Sequence, residues 1–365
     1  MKASPPVLTF NEYKIVHISD LHFTGRPVTD FNSKFWKYFK MEDISEANLK
    51  ILLEDIVALD PDHIVITGDI TNTAHPNEFT KAKTWLLQLQ QAWKPALAPI
   101  GTNNLKSELF TIAPGNHDIA KRPFIIARKK SERSRLKPFV EEFGSTLGIN
   151  DPSNLFDFEG GFPFQKLLAD IVDLFVINST LDVPVHHVGL NAVGEIGERQ
   201  RIDLAQRLEA SFSPDRYRIV ICHHHPLTIP YRQEAFEEFL VLRDARRFLK
   251  VCFEHRVHLV LHGHKHVPFV WKNVVIPELD PPHDMVVVSA GSPTHTRPGS
   301  SLVYNKYVTL RRNLGGKISV EKVEMMTRRF NPERNCFNDV GQPIVLYDNS
   351  MKTSDQRGKP EPQRY

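Results

Sequence analysis

Three histidines spaced two residues apart mark the segment Leu-His-Gly-His-Lys-His at 261–266. The segment follows an apolar stretch at 257–260, so we predict that it is the turn that leaves a buried strand. In extended backbone alternate side chains share a face, and His262, His264 and His266 could then all point the same way. Because imidazole is a common ligand of divalent transition metals, the segment predicts a metal site.

Acidic side chains follow two earlier predicted strands. Asp20 and His22 come after an apolar strand that begins at Tyr13, and their spacing can present a carboxylate and an imidazole to one cation. Asp69 follows the strand at 63–67, and the two oxygens of its carboxylate can bridge two cations about 3.5–4 Å apart. The alternative for the first pair is a helix-capping Asp with an exposed His beside it.

The stretch Pro-Gly-Asn-His-Asp at 114–118 is the most specific one for chemistry. Gly115 allows the backbone to turn sharply after a strand, and Asn116 offers a neutral carbonyl oxygen. His117 can lie beside the metals without being a ligand. Asp118 can orient the His117 imidazole, or it can be an ordinary helix cap.

A run of three histidines follows the strand predicted at 218–222. Only one of the three needs to bind a metal. His223 is favoured because it is nearest to the strand end, and His225, on the same face, is the alternative.

The composition is that of an ordinary folded chain of 365 residues, with 41% hydrophobic and 24% charged residues. The net charge of +3 is too small to indicate nucleic acid or an acidic membrane surface by itself. The three cysteines have no paired spacing, which favours a reducing compartment, so we expect a cytoplasmic protein. The N-terminal stretch does not read as a secretory signal, and no apolar run reaches the roughly 18 residues of a membrane span. We therefore expect no membrane association.

Strand and helix patterns alternate along the chain and predict an α/β fold. Helices are expected at 45–59, 76–91, 198–210 and 234–254, and a hairpin is expected between strands at 304–311 and 317–324. We divide the chain into one domain at 1–325 and a polar C-terminal tail or surface strap at 326–365, where polar residues show no period.

Two excursions leave strand ends that carry motifs. Residues 24–45 are rich in aromatic side chains, and residues 119–170 are basic in their first half and are interpreted as an inserted cap. Both could cover a site and contact a substrate. The alternatives are aromatic packing for the first and a solvated helix face for the second.

Taken together, Asp20/His22, Gly68-Asp69, Gly115-Asn116-His117-Asp118, His223 and Gly263-His264-Lys265-His266 resemble the motifs of the calcineurin-like metallophosphoesterase family. The resemblance covers residues 13–310. It implies a four-layer α/β/β/α sandwich of two mixed sheets that holds two divalent metal ions, Mn²⁺, Fe²⁺ or Zn²⁺. It also implies a first ion on Asp20, His22 and His266, a second on Asn116, His223 and His264, a bridging Asp69, and His117 at the phosphoryl group or leaving oxygen.

The chain departs from two branches of that family. Asn72 stands where purple acid phosphatases have a ligating Tyr, which disfavours a tyrosinate-bound ferric ion. The sequence Ile119-Ala120 does not match the pattern of the protein-phosphatase branch.

The resemblance implies a phosphoric ester hydrolase that uses a metal-activated hydroxide, with His117 as proton donor. The leading interpretation is a phosphodiesterase for small phosphate esters, including nucleotides or cyclic nucleotides. A nuclease with the same metal motifs is the runner-up, but such nucleases add a DNA-binding arm. A scaffold that has lost catalysis is the third interpretation, and the full set of ligand types argues against it.

Overall fold

The computed structural model describes residues 8–25, 46–97, 101–119, 132–149, 161–180, 193–229, 241–274, 284–294, 301–314 and 317–349. Its helices are α1 (Glu46–Leu59), α2 (Pro76–Trp93), α3 (Glu132–Phe143), α4 (Glu198–Ala210) and α5 (Ala245–Glu254). Its strands are β1 (Leu8–Ile18), β2 (His63–Ile66), β3 (Phe110–Ile112), β4 (Phe164–Leu168), β5 (Val172–Val176), β6 (Tyr217–Ile221), β7 (Leu259–His262), β8 (Phe269–Val274), β9 (Met285–Ser289), β10 (Val303–Leu314), β11 (Lys317–Asn331) and β12 (Cys336–Asp348). None of the helices in these ranges is long and apolar enough to cross a membrane.

The strands form two six-stranded sheets. The first has the order β12-β11-β10-β1-β2-β3 and the second the order β4-β5-β6-β7-β9-β8. In the first sheet β1, β2 and β3 are parallel, and in the second β5, β6, β7 and β9 are parallel. The other pairs are antiparallel, so the predicted α/β class with two mixed sheets is confirmed.

Alternate residues of the second sheet pack into two different cores. Leu174, Ile219 and Leu259 belong to the same core as Ile15 and Ile64 of the first sheet. Their neighbours face the other way, in a core that contains Phe175, Val220, Val260, Leu204 of α4 and Phe248 of α5. Because side chains alternate along a strand, the second sheet must lie between the first sheet and these two helices. Strands buried on both faces explain the continuous apolar runs at β2, β6 and β7.

Three of the predicted helices match the structure closely, and α4 has the predicted bounds. The helix predicted at 234–254 is wrong for 241–244, because α5 begins at Ala245; residues 234–240 lie outside the described ranges. The backbone before α5 bonds to neighbouring loops instead. Leu242 N donates to His225 O at 3.0 Å, and Arg243 N donates to Gly194 O at 2.8 Å.

The C-terminal tail predicted at 326–365 is wrong for residues up to 348, which continue β11 and form β12. Arg328 on β11 donates to both carboxylate oxygens of Asp55 on α1, to Asp339 Oδ1 at 2.9 Å and to Phe337 O at 2.9 Å. The polar composition reflects an edge strand with one solvated face rather than a disordered segment. Residues 350–365 lie outside the described ranges.

The described parts of 119–170 belong to the layers of the fold. Helix α3 packs against α2, where the Phe79 and Phe143 rings lie 5.9 Å apart and Lys83 pairs with Glu142 at 3.0 Å. Strand β4 is an edge of the second sheet, so the cap interpretation is wrong for this strand. Residues 120–131 and 150–160, and most of the excursion at 24–45, lie outside the described ranges. The division of the chain into domains stays a prediction.

Lys166 of β4 connects the edges of the two sheets. Its Nζ donates to Phe110 O at 2.7 Å, to Ser107 O at 2.8 Å and to Thr111 Oγ1 at 3.0 Å. Phe110 and Thr111 are on β3, an edge strand whose outer carbonyls face no further strand in its sheet. Burial lowers the pKa of Lys166 to about 7. The Lys166 side chain supplies a hydrogen bond to β3 that a neighbouring strand would otherwise make.

We predict that Lys166→Met lowers the free energy of unfolding by about 1–3 kcal/mol, because carbonyl groups of β3 lose their donor. Urea unfolding of the full chain measures this. Lys250→Met is the matched control, since Lys250 is exposed and forms an ion pair with Glu254 of the same helix at 3.6 Å. Equal losses for the two variants would contradict a role for Lys166 in joining the sheets.

Candidate metal centre

The first of two buried clusters contains Asp20, His22 and His266, which come from the loops after β1 and β7. Their candidate ligand atoms all lie within 4.8 Å of one another. His22 Nε2 is 3.0 Å from His266 Nε2, which is 3.4 Å from Asp20 Oδ1.

The second cluster contains Asp69, His223 and His264, and Asn116 completes it. Asn116 Oδ1 is 3.1 Å from His223 Nε2 and 3.1 Å from His264 Nδ1, and the two imidazole nitrogens are also 3.1 Å apart. His223 Nδ1 donates to the carbonyl of Thr67 at 2.7 Å. In the neutral ring this bond directs the Nε2 lone pair into the cluster.

Asp69 lies between the two clusters. Its Oδ2 is 3.2 Å from His223 Nε2 in one cluster and 3.9 Å from His22 Nε2 in the other. Its Oδ1 accepts the main-chain N–H of His117 at 2.8 Å. One carboxylate oxygen therefore faces both clusters while the other is held by the backbone.

Left-handed backbone sets the direction of most of these side chains. It occurs at Asp20 (φ 57°), His22 (φ 49°), Asp69 (φ 50°), His264 (φ 78°) and His266 (φ 57°). This conformation is uncommon for residues other than glycine and is found at functional sites. Strand alternation does not direct these side chains, because the loops turn at nearly every candidate ligand position. Asp20 and His22 still reach one cluster, as expected, whereas His264 and His266 reach different ones.

His262 is not one of the candidate ligands, although its spacing from His264 and His266 suggested that it could be. It lies in neither cluster; its Nδ1 bonds to Gly263 O at 3.1 Å and its ring is 5.7 Å from that of Trp271. His264 and His266, expected on one side with it, go to different clusters. Strand β7 continues through His262, and the turn begins only after it.

Two glycines allow the loops to approach each other. A Cβ on Gly115 would lie 2.3 Å from Asp69 Oδ1, and a Cβ on Gly68 would lie 2.6 Å from Gly115 N. Gly68 also has a φ of 89°. Only glycine fits at these positions, which explains the Gly-Asp and Gly-Asn-His sequences.

His117 lies beside the clusters without joining either one. Its ring is 5.0 Å from the His22 ring, and its Nδ1 bonds to the carbonyl of Asn72 at 2.6 Å. A carbonyl only accepts, so Nδ1 carries a hydrogen and any exchange of a proton with substrate falls to Nε2. Sequence analysis missed this function of Asn72, because a main-chain carbonyl has no residue-type signal.

Asp118 does not orient His117, and that prediction is wrong. Its Oδ1 accepts from Thr71 N at 2.8 Å and Thr71 Oγ1 at 2.9 Å, and its Oδ2 accepts from Gly115 N at 2.9 Å and Ile70 N at 3.3 Å. The carboxylate thus joins the loop that carries Asp69 to the loop that carries Asn116. Burial, followed by the charge of Asp69, raises the pKa of Asp118 to about 7.

The three consecutive histidines take different places. His223 is in the second cluster, whereas His225, the alternative ligand, lies outside it with its ring stacked 5.5 Å from that of His264. His224 bonds through Nδ1 to Ser179 Oγ at 2.9 Å.

Charges in the clusters balance one another. Burial acts to raise the pKa of Asp69, but the nearby His223, His117 and His22 hold that pKa well below its usual range. Burial acts to lower the pKa of His223, and the charge of Asp69 outweighs it and raises that pKa to about 9. Burial and neighbouring imidazoles lower the pKa of His264 well below its usual value. A cation that bound here would replace the proton of His223 as partner of Asp69.

The donor sets fit divalent metal ions. Ligands about 2.0–2.2 Å from one ion stand about 2.8–3.6 Å apart at octahedral or tetrahedral angles. Six nitrogen and oxygen separations of 3.0–3.4 Å within the clusters match this spacing, and the distance from Asp20 Oδ1 to His22 Nε2, 3.9 Å, is slightly wider. Imidazole, carboxylate and amide oxygen together suit Mn²⁺, Fe²⁺ and Zn²⁺.

Comparisons with known proteins agree with this site. Residues 13–268 match the family model described as calcineurin-like phosphoesterase. A probable cyclic nucleotide phosphodiesterase from Rhodococcus erythropolis is 26% identical over 254 residues, which are 69% of this chain and 64% of that protein. The chain thus aligns with somewhat less than two thirds of this relative's length.

Two solved structures are also similar. A dimetal phosphatase from Danio rerio has a TM-score of 0.52 and 13% identity, with 92% of this chain and 98% of that chain covered. The calcineurin-like phosphoesterase YfkN from Bacillus subtilis has a TM-score of 0.43 and 10% identity, with 96% and 97% covered. At such identity the first likeness supports the fold alone. The family match spans more than half of the chain and includes every residue of both clusters, so this chain belongs to the calcineurin-like phosphoesterase family.

Proposed function

We propose that this chain is a two-metal phosphodiesterase that hydrolyses small phosphodiesters, with cyclic nucleotides among its substrates. The observation that carries the proposal is the pair of buried ligand clusters that meet at one carboxylate oxygen of Asp69. The printed name of the Rhodococcus relative, a probable cyclic nucleotide phosphodiesterase, supports the substrate class.

The ligand assignment follows the clusters. Asp20, His22 and His266 would hold the first ion, and Asn116, His223 and His264 the second. Asp69 would bridge them, because its Oδ2 faces an imidazole nitrogen of each cluster. Two divalent ions held in this way supply charge that binds phosphoryl oxygens and lowers the pKa of water.

The protein's own contribution is to place a proton donor beside that charge. Asn72 O fixes the hydrogen on Nδ1 of His117, so Nε2 is the nitrogen that would protonate or hydrogen-bond the leaving oxygen. The main-chain N–H of the same residue bonds to Asp69 Oδ1. The donor is therefore fixed relative to the bridging carboxylate.

The identity of the ions and the cellular location are part of the proposal. We propose Mn²⁺, Fe²⁺ or Zn²⁺ as the bound ions. The cytoplasmic location stays a prediction, supported by free cysteines, of which Cys222 and Cys252 are buried.

We predict that Asp69→Ala loses tight binding at both metal positions, because one carboxylate serves both clusters. Metal analysis of the purified variant after gel filtration measures this. Asp62→Ala is the control: Asp62 is exposed, and its carboxylate accepts the N–H of Lys14, away from both clusters. Two retained ions per Asp69→Ala chain would disprove the bridging assignment.

We predict that His117→Ala keeps its metals and loses at least about tenfold in kcat, most strongly for substrates with poor leaving groups. A series of aryl phosphodiesters of graded leaving-group pKa measures this. His255→Ala, at the end of α5, is the control. Equal losses across the series would rule out proton donation by His117 and leave only phosphoryl positioning.

The substrate class is tested by one panel with Mn²⁺: aryl monoesters, aryl diesters, cyclic nucleotides, single-stranded DNA and duplex DNA. We expect hydrolysis of the small diesters and little cleavage of the duplex. Asp69→Ala serves as the inactive control against contaminating enzymes. Strong DNA cleavage with inert small diesters would overturn the proposal and favour the nuclease.

A further inference from the structure

We propose that two buried hydroxyl groups act as separate positioning residues, Ser179 for the second metal cluster and Ser292 for the first. The inference rests on the proposed function, because it presupposes that both clusters bind cations. It goes beyond the ligands, since neither serine belongs to a cluster.

Ser179 holds the turn that delivers His223. It follows β5, which pairs with β6 in parallel, so it lies beside the residues that follow β6. Its Oγ accepts the main-chain N–H of His223 at 3.2 Å and that of His224 at 3.1 Å. Both groups are buried, and removing their common acceptor would leave two main-chain donors without this bond.

The same hydroxyl fixes the tautomer of His224. A hydroxyl accepts at two lone pairs and donates one hydrogen, and both lone pairs of Ser179 are occupied. The 2.9 Å bond to His224 Nδ1 must then use the serine hydrogen. Nδ1 of His224 is then the acceptor, and the ring hydrogen lies on Nε2, which has no hydrogen-bond partner among the described residues.

His224 in turn supports both imidazoles of the second cluster. Its ring is 5.1 Å from the His223 ring and 4.7 Å from the His264 ring. Gly194 packs against the ring, where an added Cβ would lie only 2.3 Å from His224 Cγ. The carbonyl of His223 also accepts Gly263 N at 3.1 Å, which attaches this turn to the loop that carries His264.

Ser292 has the corresponding place at the first cluster. It follows β9, and its Oγ donates to the carbonyl of Asp20 at 2.7 Å. Thr294 N donates to Ser292 Oγ at 3.3 Å, and Thr294 Oγ1 donates to the carbonyl of Leu21 at 2.9 Å. These bonds hold the turn in which two ligands, Asp20 and His22, flank Leu21.

A serine that positions a ligand and a serine that only stabilises its loop should differ in whether they affect one metal ion or both. A serine that only stabilises its loop would change the free energy of unfolding without preference for one ion. A positioning serine changes the affinity for one ion and leaves the affinity for the other ion unchanged. Residues that hydrogen-bond to metal ligands typically alter metal affinity about 10–100-fold.

The experiment measures Mn²⁺ affinity of the full chain, from the electron paramagnetic resonance signal of the free ion. His22→Ala and His264→Ala each disable one cluster, so that a single ion remains to be measured. Ser179→Ala added to His22→Ala should weaken the remaining ion about 10–100-fold. Added to His264→Ala, it should change affinity by no more than about twofold, because the bonds of Ser179 go to His223 and His224 rather than to a ligand of the first ion.

Ser292→Ala should give the opposite pattern. It should weaken Mn²⁺ binding in the His264→Ala background and not in the His22→Ala background. Each serine variant is thus the matched control of the other. If Ser179→Ala does not fold, Gly194→Ala replaces it, because the added methyl group presses onto His224. If Ser292→Ala does not fold, Thr294→Val replaces it. Ser211→Ala is the folding control, because Ser211 Oγ has no hydrogen-bond partner among the described residues.

The outcomes separate the two proposals. A wild-type chain that binds fewer than two Mn²⁺ ions would overturn the proposed function itself. Two bound ions in the wild type, with each serine variant weakening both ions equally or neither, would overturn the positioning roles alone. If each serine variant loses affinity for one ion only, and the two variants affect different ions, both proposals are supported.

Discussion

The structure depends on one buried carboxylate, that of Asp69, at the point where loops from both sheets meet. A buried charge without partners costs several kcal/mol, so its surroundings must supply charge or hydrogen bonds. His223 supplies charge from the second sheet, and His117 N–H supplies a hydrogen bond from the first. Because the partners come from both sheets, the shared core between the sheets sets the geometry of the site.

The loops around Asp69 are held in an unfavourable conformation by several bonds each. Left-handed backbone at a residue other than glycine costs about 1–2 kcal/mol, and five ligand positions adopt it. Asp118 offsets part of this cost by accepting four hydrogen bonds from Ile70, Thr71 and Gly115. The main-chain bonds Asp20 N to Gly68 O and His22 N to Asp69 O, at 3.0 and 2.9 Å, fix the first loop against the second. Polar groups outside the ligand set therefore determine where the ligands point.

The candidate ligands and the strands before them could be predicted from the sequence. The hydrogen bonds between residues far apart in the sequence could not. Apolar runs such as those of β2 and β6 predict buried strands, and the candidate ligand residues lie shortly after these strands in the sequence. The Asp118 bonds, the Asn72 carbonyl and the Ser179 hydroxyl depend on which strands become neighbours, which no local pattern encodes. Strand β12 has the composition of a tail because its exposed face is polar. Arg328 of β11 bonds to Asp339 and Phe337 of β12 and also to Asp55 of α1, which is far away in sequence.

The loop after β2 carries Asp69, the proposed bridging ligand, and also holds His117, the proposed proton donor. Asp69 lies between the clusters, and only three residues later Asn72 O accepts the hydrogen of His117 Nδ1. Glu78 at the start of α2 holds the end of this loop, accepting Thr73 N at 2.7 Å and, from the first loop, Gly25 N at 3.1 Å. His117, the proposed proton donor, bonds to the same short segment as Asp69, the proposed bridging ligand, and has little freedom to move relative to it. Because a fixed orientation of reacting groups removes part of the entropic barrier, this loop would pre-arrange the acid in the proposed reaction.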